Sequence, residues 1–178
     1  MSTQLSPADE QLLTQHIRAV PDFPQPGVMF RDITPLLADP IAFHRTIELL
    51  IENFPGINRV VAIESRGFIL GAPVALALHA GMVPVRKIGK LPADTIREDY
   101  TLEYGTASLE IHRDAIQPGD QVLIVDDVLA TGGTVRAAAN LIQRLGGTVV
   151  GVSLLIELAF LHGREKLTDL DVRSVLVY

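Results

Sequence analysis

The chain has 178 residues, 48% apolar and 20% charged, which suits one globular domain with a sizeable core and excludes a disordered or fibrous chain. A net charge of −6 supplies no global basic field for nucleic acid or an anionic membrane, so any basic site must be local. With no cysteine there is no disulfide framework, thiolate metal site or cysteine nucleophile, as suits a reducing cytoplasm, and the N-terminal MSTQLSPADEQLL lacks the basic-then-apolar order of a secretory signal.

Ser6-Pro7-Ala8-Asp9 reads as an N-cap with proline at the first helical position, and Leu13, Ile17 and Val20 at helical spacing predict a first helix ending near Val20. The following DFPQPGVMFRDITPLL, rich in proline, is an ordered irregular segment. Asp39-Pro40 opens a second helix with Ile47, Leu50 and Ile51 on one face. The pattern then alternates: strand Arg59 to Ile63, helix Phe68 to Ala80, strand Met82 to Lys87, strand Gln121 to Asp126, a helix marked by Val135, Ala138, Ala139, Ile142 and Leu145, and strand Thr148 to Ile156. The apolar window Gly67 to Val85 is divided by Pro73, His79, Gly81 and Pro84, so it reads as a helix and a buried strand, not a membrane span. Apolar strands alternating with helices predict an α/β fold with a parallel sheet covered on both faces, and ligands bind at the carboxyl ends of such strands. Gly89 to Gly105 breaks the rhythm: polar, long and without a clear period, it is a candidate lid or ribbon.

The stretch VLIVDDVLATGGTVRAAANLI carries the chemistry. Gly132 and Gly133 let backbone N–H groups approach an anion at the start of a helix, and Thr131 and Thr134 add hydroxyl donors. Neither a Walker A loop nor G-x-G-x-x-G is present. Alone, Gly-Gly-Thr reads equally well as a tight strand-to-helix turn with capping aspartates. Asp126 and Asp127, carboxylates placed just before the loop, tip the reading toward a ligand with both phosphate and vicinal hydroxyls, a phosphorylated sugar. The histidines, His16, His44, His79, His112 and His162, have no metal-ligand spacing.

A hydrophobic strand, two acidic residues and a small Thr-Gly loop resemble the phosphoribosyl-pyrophosphate (PRPP) motif of the type I phosphoribosyltransferases. DFPQPGVMFRDITPLL, ESRGFILGAPVALAL, VPVRKIGKLP and LEYGTASLEIH resemble, in the same order, segments of the adenine-specific members of that family. The resemblance spans Asp22 to Leu167 and departs conservatively at Val128, where leucine is expected. It implies the type I phosphoribosyltransferase fold as one domain over 1–178, with a small N-terminal hood over about 1–35 and a mobile lid over about 89–105. The implied reaction is adenine plus Mg²⁺-PRPP giving AMP plus pyrophosphate, in a cytoplasmic homodimer that takes neither nucleic acid nor membrane as partner.

The same resemblance implies the site. Asp126 and Asp127 would hold the ribose 2- and 3-hydroxyls, and Ala130, Thr131, Gly132, Gly133 and Thr134 the 5-phosphate. Ser65-Arg66-Gly67 would form a pyrophosphate loop, with Arg66 as its bidentate cation and a cis peptide at Glu64-Ser65, joined by Arg86, Lys87 and Lys90, whose other reading is a solvated basic turn. Glu103 would exchange a proton with the purine beside Tyr104, or else be a surface charge on a ribbon. Adenine would meet Met29 and Arg31 through their backbone, with Phe30 stacking and Leu158 on the other face. Magnesium would be held mainly by substrate oxygens and water. The alternatives are a phosphoribosyltransferase for hypoxanthine, guanine or xanthine, and a non-catalytic PRPP-sensing regulator, which would be expected to carry a DNA-binding domain or basic face. A methyltransferase with a glycine-rich loop leaves the basic RKIGK unexplained.

Overall fold

Ser6 starts the first helix as its sequence predicts: its Oγ accepts the Asp9 N–H at 3.1 Å, and proline takes the first position of α1 (Pro7–Thr14). The computed structural model describes residues 5–101 and 106–178, in two units divided between Leu49 and Leu50. In the first unit α1 stops at Thr14 rather than near Val20, with the Thr14 hydroxyl donating back to Glu10 O at 2.6 Å. The residues expected to continue it form β1 (Arg18–Pro21) instead, antiparallel to β2 (Met29–Asp32), with Val20 opposite Phe30. Backbone pairing with a distant strand has outweighed helical spacing. The proline-rich connection is ordered: Phe23–Pro24 is cis, and the Gly27 N–H donates to Asp22 Oδ1 at 2.7 Å.

α2 (Thr34–Ala38) follows, and Asp39 opens α3 (Pro40–Ile51) by accepting the N–H groups of Ile41 and Ala42 at 3.0 and 2.8 Å. Ile47 and Leu50 on the predicted face are buried. Arg45 of α3 donates to both carboxylate oxygens of Asp9 in α1, at 2.7 and 3.0 Å, and that hydrogen bonding holds the Asp9 pKa down to about 2.

The second unit is built on a seven-stranded sheet. Its elements are β3 (Arg59–Ile63), α4 (Gly67–Ala77), β4 (Gly81–Lys87), β5 (Thr95–Thr101), β6 (Thr106–His112), β7 (Gln121–Leu129), α5 (Gly133–Arg144), β8 (Thr148–Glu157) and β9 (Val172–Val177). The order is β5-β6-β4-β3-β7-β8-β9; the run from β4 to β9 is parallel, as predicted, but β5 and β6 add an antiparallel ribbon, so the sheet is mixed. Part of the polar Gly89 to Gly105 segment is thus a regular strand, paired from Thr95↔His112 to Thr101↔Thr106.

The central strands are buried along their length because both faces are covered. Val61, Ile63, Val122 and Ile124 pack with Ala138, Leu141 and Ile142 of α5, whereas Val60 and Ala62 meet Gly71 of α4. The apolar window from Gly67 to Val85 is helix and strand, as read, with the turn made by His79 at φ 53°. No helix among the described residues is long and apolar enough to cross a membrane.

Candidate active site

The carboxyl ends of β3, β4 and β7 lie side by side: Ala62 pairs with Val125 and Ile63 with Val85, and Glu64 continues the β3–β4 ladder by donating to Val85 O at 2.9 Å. This is where an open α/β sheet binds ligands. β7 does not end at Asp126 as expected. β8 offers Ile156 and Glu157 as partners to Val128 and Leu129, so the strand runs on and both acids lie inside a paired ladder. Asp126 is 9% and Asp127 5% exposed, far more buried than residues at a strand tip.

Burial first, and the charge of Asp127 second, push Asp126 well above the usual carboxylate range; Asp127 is also pushed up by burial, with Arg66 pulling it back. The Asp127 N–H donates to Asp126 Oδ1 at 2.9 Å. Asp127 Oδ2 is ion-paired with Arg66, 2.9 Å from its Nε, and is enclosed by protein.

Arg66 reaches Asp127 from the β3–α4 connection, where the Glu64–Ser65 peptide is cis, as the resemblance implies. The next residue, Gly67, is set against the other acid: an added Cβ would lie 2.7 Å from Asp126 Oδ1 and 3.1 Å from Val125 O. The cation loop and the paired acids are therefore one constellation. Beyond β7, Gly132 takes the left-handed conformation at φ 77° and precedes α5, whose first residue is Gly133; both glycines are buried, and Thr131 and Thr134 are half-buried. A glycine is needed there because the conformation disfavours a side chain. A glycine turn leading into a helix start is the arrangement an anion cradle requires.

On β4, Arg86 is held by Glu64: Nε donates to Oε2 at 3.1 Å and Nη2 to Oε1 at 3.4 Å, while Nη1 donates to Lys90 O at 3.0 Å. Lys87 and Lys90 are exposed just beyond. The turn that carries them is fixed by buried Glu110 of β6, whose Oε1 accepts the N–H groups of Lys90 and Leu91, each at 3.0 Å. Met29, Phe30 and Arg31 are in β2 of the first unit, where Phe30 meets Phe23 edge-on at 5.0 Å. Leu158, half-buried, follows β8 in the second unit and donates its N–H to Leu129 O at 2.9 Å. Glu103 and Tyr104 lie outside the described residues.

Sequence reasoning placed Gly67 in the pyrophosphate loop but not against Asp126, and left out Glu64 and Glu110 as positioning residues. A visible signal was available for Glu110, a carboxylate in the apolar alternation of LEIH. Gly67 and Glu64 had none, because their partners are remote in sequence. Among the described residues no group of three or more His, Cys, Asp or Glu could hold a metal ion.

Residues 41–176 match the phosphoribosyl transferase domain family. The chain is similar to an adenine phosphoribosyltransferase of Thermobifida fusca (strain YX), with 58% identity over 177 residues, 98% of either chain. A crystal structure of adenine phosphoribosyltransferase from Rhodothermus marinus DSM 4252 superposes with a TM-score of 0.93 at 53% identity, covering 97% of this chain and 100% of that one. That of Saccharomyces cerevisiae, complexed with an imino-altritol bisphosphate and adenine, gives 0.89 at 40% identity over 94% of this chain and 98% of its own.

Proposed function

This chain belongs to the adenine phosphoribosyltransferase family, and on that premise we propose a role for each part of the site in the family's reaction, adenine plus PRPP giving AMP plus diphosphate. The enzyme serves purine salvage. Displacement at the anomeric carbon passes through an oxocarbenium-like state, so the site must hold the ribose, spread the charge of the departing diphosphate and keep water out. Asp126 and Asp127 accept the 2- and 3-hydroxyls; their place between the Arg66 loop and the glycine turn that opens α5 supports this. The 5-phosphate sits in Ala130 to Thr134, taking backbone N–H groups and the hydroxyls of Thr131 and Thr134.

Ser65 and Arg66, with Arg86, Lys87 and Lys90, receive the diphosphate. Arg66 stands at 2.9 Å from Asp127, so one guanidinium edge is oriented by the ribose-holding acid. A magnesium ion carried in by PRPP would be held mainly by substrate oxygens and water. When bound, that ion neutralises charge on the leaving group. Phe30 stacks on the base, the backbone of Met29 and Arg31 reads its N6–N1 edge, and Leu158 covers the other face. Glu103 exchanges a proton with the purine, and Tyr104 closes the site with the segment 89–105 as a lid. We place the enzyme in the cytoplasm as a homodimer; the absence of cysteine supports the first, and Ile69 and Leu76, exposed on α4, the second.

The observation that carries the reading is the joining of Arg66 and Gly67, just after β3, with Asp126 and Asp127 in the last part of β7, a few residues before the glycine turn that opens α5. The test is diphosphate release from Mg²⁺ and PRPP with adenine, hypoxanthine, guanine or xanthine. Release with adenine alone is expected. Conversion of a 6-oxopurine at a similar rate would overturn the base assignment, and no release with any base would overturn the catalytic one.

A further inference from the structure

Behind the phosphate loop stands a part of the chain that the PRPP motif does not contain. After β8 the backbone makes two short 3-10 turns, Ala159–Leu161 and Gly163–Leu167, joined at His162 in the left-handed conformation with φ 53°. Gly163 lies against the loop backbone: an added Cβ would be 2.1 Å from Ala130 O and 2.9 Å from Gly132 N. The approach is reciprocal, since a Cβ on Gly132 would be 2.3 Å from Gly163 O. These neighbours are main-chain atoms, which have no rotamer by which to withdraw.

Arginines pin this bracket on either side. Arg164 donates to Glu157 at the end of β8, through Nε to Oε1 at 3.0 Å and again through Nη2, and its Nη1 reaches Val172 O of β9 at 2.7 Å. Arg136, near the start of α5, donates through Nε and Nη2 to Lys166 O at 3.0 and 2.8 Å and also engages Asp169. The bracket is thus tied to the sheet edge and to the helix that closes the phosphate loop.

We infer that Gly163 is a positioning residue for the phosphate-binding loop: bare of a side chain, it lets the bracket set where Ala130 to Gly132 stand, and so where the loop's N–H groups point. The inference rests on the reading of Ala130 to Thr134 as the 5-phosphate cradle. Moving an added Cβ from 2.1 Å out to the 3.4 Å of ordinary contact would displace the loop by about 1 Å. Hydrogen bonds to a charged phosphate do not survive that shift intact.

The experiment is calorimetric titration of the whole protein with ribose 5-phosphate and, separately, with magnesium pyrophosphate. Gly163→Ala is expected to weaken ribose 5-phosphate by roughly 10- to 100-fold while leaving pyrophosphate affinity unchanged. Arg136→Gln loosens the bracket without adding bulk and is expected to give a smaller loss with the same selectivity, so it decides the matter if Gly163→Ala does not fold. Gly151→Ala, whose Cβ would lie 2.3 Å from Phe54 Cε1, is a steric insertion away from the loop and is expected to spare the selectivity. Unchanged ribose 5-phosphate binding in the folded bracket variants, equal weakening of both ligands, or the same selective loss in Gly151→Ala would overturn the inference. A Thr131→Asp variant, which puts a carboxylate into the turn, separates the premise: if it binds ribose 5-phosphate normally, the cradle reading itself fails. If it binds weakly while the bracket variants bind normally, only the role of Gly163 fails.

Discussion

Gly67→Ala should displace Asp126, one of the two acids proposed to hold the ribose, without replacing it. The new Cβ would lie 2.7 Å from Asp126 Oδ1 and 3.1 Å from Val125 O, and the carbonyl belongs to a residue paired with Ala62 in the central ladder. The carboxylate must therefore give way, by about 0.7 Å to reach ordinary contact at 3.4 Å. Oδ1 now accepts the Asp127 N–H at 2.9 Å, and the retreat stretches that bond to as much as about 3.6 Å, beyond useful length. Losing a hydrogen bond to a charged acceptor costs about 1.5–3 kcal/mol, and alanine's helical preference at the first position of α4 returns at most about 1 kcal/mol. A net destabilisation of about 1–2 kcal/mol by urea unfolding is expected. On the proposed ribose role of this acid, kcat/KM for PRPP should fall about 10- to 100-fold. Gly71→Ala is the comparison: its Cβ would lie 2.4 Å from Ala62 Cβ, a clash with β3 in which the nearest atoms belong to Ala62 and Val60 and not to either acid, so it should lose stability without the selective loss for PRPP. Native kcat/KM in Gly67→Ala, or the same PRPP defect in both variants at matched stability, would refute the reasoning.

Burial and the charge of Asp127 raise the folded pKa of Asp126 above its ordinary 3.8, so ionising it penalises the folded state at neutral pH, and the penalty disappears as pH falls toward and below that value. Asp126→Asn should therefore melt at least about 2 °C above the parent at pH 7, a gap that narrows toward pH 4, while turnover drops; equal melting at pH 7 would sink this account. Glu103→Gln should slow the chemical step by roughly 10²- to 10⁴-fold with PRPP affinity little changed, read by single-turnover kinetics, and a variant that loses only PRPP affinity reassigns the residue to positioning. Phe30→Ala should weaken every purine together and Met29→Leu should leave the preference for adenine intact; a changed preference in Met29→Leu would mean that the side chain reads the base. Proteolytic cutting between Gly89 and Gly105 should slow when PRPP and Mg²⁺ are added, and equal cutting with and without them would count against a lid.

Local chemistry made much of the chain legible. Ser6 and Asp39 announced helix starts because their side chains satisfy N–H groups a few residues ahead, and β3, β7 and β8 showed as apolar runs because both sheet faces are covered. β1 could not be told from a continuation of α1, since what distinguishes it is pairing with β2 across a cis-proline turn. β9 was equally silent, its ladder to β8 being invisible in DLDVRSVLVY.

The same division runs through the site. Asp126-Asp127 followed by Thr-Gly-Gly-Thr determined, by residue type and spacing, that a phosphorylated sugar was the ligand to consider, and the flanking segments pointed to adenine. Only the tertiary structure decided that both acids are buried within a ladder that β8 extends to Leu129, that Arg66 and Gly67 meet them from the connection after β3, and that Gly163 backs the turn from Ala130 to Gly132. The reason is that a motif is a run of neighbours whose chemistry is local, whereas burial, a raised pKa and a close backbone approach depend on which strands adjoin. That order, β4-β3-β7-β8-β9, is set by packing across the whole sheet.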